Sequence, residues 1–325
     1  MTQSGIDQTD FSPTVRAQDD FFRYVSGPWE ESHVIPGDRA ADGSFYTLRD
    51  EAEKQVRVII EEAERTSQIG ALYASFMDVE RVNALGVAPL EADLAKVDAA
   101  TTHEELAVAM GTLQRDGVSG TVGYYVFADR LDPDRNVVYL SQSGIGLPDE
   151  AYYRDEAHAA TLATYVTHVD RMAELTGIAF DSSTVVGLET AIAREHWDVV
   201  KSREAELTHN PATLESLAAD APGFPWATWA ESIRMPAAAH ELLVIGEPSY
   251  FEAFAKIWTE TDLDTWKAYL RWRIVNSRAA YLTEEITKAN FDFYGTVLSG
   301  ATEQRERWKR GVGLVEGVVG ELVGQ

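Results

Sequence analysis

Seven histidines offer the first candidate chemistry. Two imidazoles one helical turn apart, with a glutamate beside the first, hold zinc and let the carboxylate act on its bound water. The spacing fails at each place where it is approached. His103-Glu104 is followed by Ala107 at the required fourth position, and His240-Glu241 by Val244. The inverted pattern fails at Glu195-His196, where Ile192 stands in place of the first histidine. His158 and His168 fit no turn, and solvated or hydrogen-bonded roles account for both. Gly144-Ile145-Gly146 opens like a dinucleotide loop, but Asp149 replaces the third glycine and Pro148 interrupts the helix that should follow. No G-x-S-x-G turn and no phosphate-binding G-x-x-x-x-G-K occurs, and a chain with no cysteine has no thiol nucleophile. The acid pairs Asp19-Asp20, Glu30-Glu31 and Glu61-Glu62 read as solvated faces. No catalytic residue and no metal ligand is assigned from spacing.

Arg49 is the remaining chemical signal. Thr47 with Asp50 reads as a capping box, and Leu48, Ala52, Val56, Ile59 and Ala63 follow at helical spacing, which puts Arg49 in a first turn. A cation is disfavoured there by about 0.3 to 1 kcal/mol. A guanidinium beside free helix amides makes a receptor for a carboxylate, from a ligand or from another side chain. The plainer partner is Glu53, one turn on.

The elements that position this arginine belong to a large acidic protein. The 325 residues suggest two domains or one large helical unit. With 8 Trp, 13 Tyr and 12 Phe the chain is globular. A net charge of −25 and no Lys/Arg cluster clear of acids argue against nucleic acid and against an anionic membrane surface. No apolar run is long enough for a membrane span. The polar start MTQSGIDQTD lacks the pattern of a secretory signal, so cytoplasmic residence is the default expectation.

Along the chain, residues 1–15 read as a flexible lead and residues 16–50 as an irregular aromatic segment broken at Gly27-Pro28 and Pro36. Helices are expected from Leu48 to Glu64, Ser67 to Leu85, Pro89 to Ala99 and Thr102 to Asp116. Val122–Ala128 and Asn136–Ser141 flank Asp132-Pro133-Asp134-Arg135 and predict a β-hairpin. After a glycine-proline loop at Ser143–Pro148, helices resume from Asp149. A last apolar stripe, Trp308, Val312, Val315, Val319 and Leu322, runs off the end at Gln325 as if the chain were cut inside a larger fold. The fold class is mainly α, a multi-helix lobe with a small hairpin near residues 122–141.

Asp20-Phe21-Phe22-Arg23-Tyr24-Val25-Ser26-Gly27-Pro28-Trp29, then Ile35-Pro36, Gly43-Ser44-Phe45 and Leu48-Arg49-Asp50-Glu51, resemble the N-terminal signature of the neprilysin and endothelin-converting-enzyme family of zinc metallopeptidases. Gly146-Leu147-Pro148 with Tyr152-Tyr153, Asn210, Trp272-Arg273, Asn290 through Gly300 and Arg307-Trp308-Lys309-Arg310 continue the resemblance in order. It implies two helical lobes around a chamber that admits small peptides. One lobe carries HExxH, and this chain is similar to the other. Zinc and its ligands are then expected in a C-terminal lobe that meets this one in cis or in trans, with residues 16–50 facing it and residues 51–325 forming the substrate-enclosing lobe. By position, Phe45 resembles an aromatic lining the first pocket beyond the scissile bond. Arg49 resembles an arginine that recognises the far end of the peptide, including a free C-terminal carboxylate. A second familiar arginine is replaced by Ala41, with Asp42 before Gly43; Arg39 lies two residues away. The alternative reading is a stand-alone helical module that binds a peptide or protein and catalyses nothing.

Overall fold

The computed structural model describes residues 11–324 and is mainly helical, as expected. Residues 1–10 of the expected flexible lead lie outside the described residues. The chain runs α1 (Phe21–Ser32), α2 (Ser44–Glu62), α3 (Gln68–Met77), α4 (Val79–Leu85), α5 (Glu91–Ala99) and α6 (His103–Arg115), then β1 (Val122–Ala128) and β2 (Asn136–Gln142). After the glycine-proline loop come α7 (Ala159–Thr176), α8 (Ser182–Glu195), β3 (Asn210–Ala212), α9 (Leu214–Asp220), α10 (Trp226–Ser232), α11 (Ala237–Glu241) and β4 (Leu243–Ile245). The last elements are α12 (Pro248–Glu260), α13 (Leu263–Arg278), α14 (Glu284–Phe291) with a π-helical turn at Asp292–Val297, and α15 (Arg307–Val323).

The segment 16–50 is more regular than its spacing suggests. α1 crosses Gly27-Pro28 without ending, although Pro28 has no N–H to donate to the carbonyl of Tyr24 one turn back. The amide of Ser12 donates to that carbonyl at 2.7 Å, and the Phe11 ring lies 5.2 Å from the Tyr24 ring. A tertiary contact therefore fills the gap that the proline leaves, which local spacing cannot reveal. Between Ser67 and Leu85 the structure has two helices where one was expected. Asp78 leaves helical geometry (ψ 77°) and its carboxylate caps α4 through the amide of Arg81.

The expected hairpin forms in register, Tyr125 opposite Tyr139 and Val126 opposite Val138, but it is half of a sheet. β4 lies parallel to β2 and β3 antiparallel to β4, giving the order β1-β2-β4-β3. Strands of three residues leave too little alternation to be read in advance. β2 is buried on both faces. Val138 and Leu140 enter the main core, while Val137 and Tyr139 pack with Val244.

Two helical cores result. The larger is built on α5 to α14 and is rich in aromatics, with Trp226, Trp229, Trp258, Trp266 and Trp272 fully buried. The smaller joins Ile60 of α2 and Tyr73 of α3 to Val312 and Val315 of α15. Arg305 clamps it with two 2.8 Å hydrogen bonds to the carboxylate of Glu53. The apolar stripe on α15 thus packs on α2 and α3, and the helix bends at Val319 (φ −134°).

Candidate functional site

The amides of Tyr46 and Thr47 bond the carbonyl of Gly43, so α2 starts at Ser44, one turn earlier than its Thr47–Asp50 pattern suggests. Arg49 then sits in the second turn, where the backbone amides are bonded within the helix, and the helix-terminus argument for carboxylate binding does not apply. The expected partner Glu53 is also taken, by Arg305. What remains is a side chain about half exposed (49%), with its guanidinium 4.8 Å from the centre of the Tyr46 ring and 3.8 Å from Asp50 Oδ1. Phe45, one helical turn before it, is 85% exposed. A separation of four residues puts both on one face of α2.

The loop before α2 supplies a second guanidinium. Arg39 donates from Nη2 to Asp50 Oδ2 at 2.7 Å, and its guanidinium lies 5.4 Å from the Tyr46 ring. Arg39 and Arg49 therefore flank one tyrosine and share one carboxylate. Arg39 is mostly buried, also near Asp38 and Asp42, and its Nε and Nη1 have no hydrogen-bond partner among the described residues. The hydrogen bond from Arg39 holds the Asp50 carboxyl below its ordinary range against the opposing effect of burial. Asp42 is likewise lowered, first by its 2.7 Å hydrogen bond with His33, while Lys309 of α15 reaches Asp38 at 3.0 Å. This network fixes the loop and the start of α2 to the smaller core. Sequence reasoning missed Tyr46 and Asp50 as organisers; the signal available was Tyr46 three residues before Arg49.

Phe21 and Phe22 of α1, Val34 and Ile35 of the loop after it and Leu48 of α2 are also exposed. The motifs that carried the resemblance elsewhere in the chain are mostly scaffold. The Tyr153 hydroxyl accepts from the amides of Gly146 and Leu147 and donates to Glu189 Oε2 at 2.7 Å. Trp272 donates to the Tyr165 hydroxyl, and Arg273 donates to the carbonyls of Ser119 and Ile145, 3.8 Å from Glu189. Asn210 bridges the carbonyls of Leu207 and Ile245 at the sheet end. His209 bonds Asp129, whose carboxyl is held at about 2 by the Leu131 amide, Arg135 and His209.

The histidines are committed in similar ways. His103 contacts the Thr261 carbonyl and His196 the Ser143 carbonyl, whereas His168, against the solvated or hydrogen-bonded role expected of it, is buried and stacks on Phe293 with ring centres 4.9 Å apart, its Nε2 without a partner among the described residues. Among the described residues no three His, Asp or Glu side chains converge as a metal site would require. No helix among them is long and apolar enough to cross a membrane.

The sequence profile described as Peptidase family M13 matches residues 17–325. Endothelin-converting enzyme 1 of Cavia porcellus is 25% identical over 322 residues, which cover 92% of this chain and 42% of that protein. Neprilysin-11 of Caenorhabditis elegans is 24% identical, with 90% and 38% covered. Among solved structures, the zinc metalloprotease of Mycobacterium tuberculosis in complex with an inhibitor superposes with a TM-score of 0.93 at 45% identity, covering 99% of this chain and 51% of that one. The same protein in its open state gives a TM-score of 0.83 over 95% of this chain. The chain spans less than half the length of these curated relatives and about half of the solved bacterial chain.

Proposed function

This chain belongs to peptidase family M13 and corresponds to its neprilysin-like N-terminal region, and on that footing we propose that it is the substrate-enclosing lobe of a zinc metalloendopeptidase of small peptides. The observation that carries the reading is the face of α2. Phe45 stands open to solvent one turn from Arg49, with Leu48 of the same helix also exposed, in a protein whose large aromatics are otherwise mostly packed. In this reading the segment 16–50 lies against a zinc-bearing C-terminal lobe, Phe45 forms part of the pocket just beyond the scissile bond, and Arg49 meets the carboxylate end of the peptide. Zinc and the groups that act on its water belong to that other lobe. Arg39, whose guanidinium also lies against Tyr46, supplies the second positive charge that Ala41 cannot.

The test is to fuse or mix this chain with the zinc-bearing half of an M13 enzyme and follow peptide hydrolysis. Activity should appear only when both halves are present. Well-folded halves that neither associate nor hydrolyse would refute the proposal and favour a stand-alone binding module. In the active mixture, Arg49→Ala is expected to lower kcat/KM for peptides with a free C-terminus by about 10-fold to 100-fold, the worth of a hydrogen bond to a charged group. Amidated peptides should lose much less. Equal losses for both would remove carboxylate recognition from Arg49.

A further inference from the structure

We infer that the free edge of β1 is a binding site for an extended peptide, which adds to the sheet as a fifth strand antiparallel to β1. The inference rests on the peptidase reading only for the source of that peptide; the edge itself stands on the following geometry.

β1 is the outermost strand of the order β1-β2-β4-β3. The amide of Asp129 donates to the carbonyl of Arg135 at 2.9 Å, which marks that pair as hydrogen-bonded. The two-residue alternation of an antiparallel ladder then turns Phe127, Tyr125 and Gly123 toward β2 and points the backbone groups of Tyr124, Val126 and Ala128 outward. The far side of β2 obeys the same alternation, since the Leu140 carbonyl accepts from Gly246 and the Gln142 amide donates to Glu247. At the ends of the outward row, the Val122 carbonyl accepts from Gln114 and the Ala128 carbonyl from the Tyr139 hydroxyl. Among the described residues nothing bonds the amides of Tyr124, Val126 and Ala128 or the carbonyls of Tyr124 and Val126.

Natural sheets guard such an edge with a lysine, a proline, a bulge or a very short strand. This one spans Val122–Ala128 with the sequence Val-Gly-Tyr-Tyr-Val-Phe-Ala, unbulged and without a charge, and Val126 and Phe127 are 63% and 67% exposed. Alternate outward N–H and C=O groups match an extended backbone and nothing helical. Tyr125 and Phe127, exposed on one face, would receive apolar side chains at alternate positions of the peptide. At the Val122 end the edge opens into a pocket of about 330 Å³ lined by Gly117, Gly120, Gly123 and Tyr124, where the C-terminal end of an antiparallel peptide would lie. A second copy of the chain is the other strand that could pair here, and a net charge of −25 on each copy opposes that association.

The test uses the 325-residue chain and the end-capped peptide acetyl-(Lys-Val)₄-amide at physiological salt, with two analogues N-methylated on every lysine or on every valine. A peptide lying as a strand uses alternate amides, so one analogue should bind about tenfold weaker and the other should bind as the parent does. Hydrogen exchange at the amides of Tyr124 and Val126 should slow on binding. Val126→Pro, which removes an outward amide and no β1–β2 bond, should weaken the parent about tenfold as well. Equal binding of both analogues, or protection elsewhere, would overturn the site. Protection of these amides without peptide, rising with protein concentration and molecular mass, would overturn it in favour of β1-to-β1 pairing. Loss of hydrolysis in the two-half mixture with the alternating pattern intact would refute the peptidase reading and leave the edge in place.

Discussion

Arg273→Ala should lower the unfolding free energy by about 3 to 5 kcal/mol, the usual consequence of removing one member of a buried charge pair. Arg273 is 6% exposed and its guanidinium joins the carbonyl of Ser119, before β1, to that of Ile145, in the glycine-proline loop. Glu189 of α8 lies 3.8 Å away and is fully buried, held also by the hydroxyls of Tyr153 and Tyr165. Burial alone raises the Glu189 carboxyl, and Arg273 is the first of the groups that oppose the rise. Alanine at position 273 removes that opposition and strands two carbonyls at once. Glu189→Gln in the same background should recover about 1 to 3 kcal/mol, because the stranded charge is gone. Urea unfolding of the four proteins in this cycle measures both quantities. A loss below about 1 kcal/mol, or no coupling between the sites, would show that the ion pair is not what holds the loop to α8 and α13.

The second large effect is acid sensitivity. Burial lowers the His168 imidazole to about 4 and the His196 imidazole to about 4, the latter against the pull of the Ser143 carbonyl. An unfolded histidine titrates near 6.5. Between these values the unfolded chain binds protons that the folded chain refuses, so stability is fully present above about pH 6.5 and falls as pH drops toward 4. The difference between 6.5 and about 4 corresponds to about 3 kcal/mol for each residue at full effect. Glu189 and Glu247, raised by burial, act in the opposite sense at the low end of this window, so the histidine contribution is read as a difference between variants. His168→Phe, which keeps a flat ring against Phe293, should flatten the decline between pH 6.5 and 4.5 relative to the parent. Parallel pH profiles for the two proteins would mean that His168 titrates normally in the fold.

Legibility followed the range of the interactions. Elements set by local pattern emerged nearly intact: α6 behind its Thr102 cap, the β1–β2 pairing, and the stripe on α15. Elements set by distant partners did not. α1 persists through Pro28 because Ser12 supplies the missing donor, β4 exists because the longer β2 was there to pair with, and β3 forms on β4 in turn. Arg49 shows both sides. The reason its spacing offered was local and wrong in register by one turn. Its surroundings come from Tyr46, Asp50 and an arginine ten residues upstream. Only the fold shows that Arg39 and Arg49 lie against the same tyrosine.

The smaller core also carries a consequence in time. Its two sides, Tyr73 on α3 and Val312 on α15, are 239 positions apart, so it closes one of the longest loops in the described chain. The entropy of closure rises only about 0.6 kcal/mol per doubling of length, so distance delays this core more than it destabilises it. At about 5 to 20 residues per second, α2 and α3 leave the ribosome on the order of tens of seconds before α15 is made. Throughout that interval the helix bearing Phe45 and Arg49 has no α15 to pack on, and Glu53 waits for Arg305. The packing behind this face of α2 is therefore completed only once α15 has been made, after the elements that build the aromatic core.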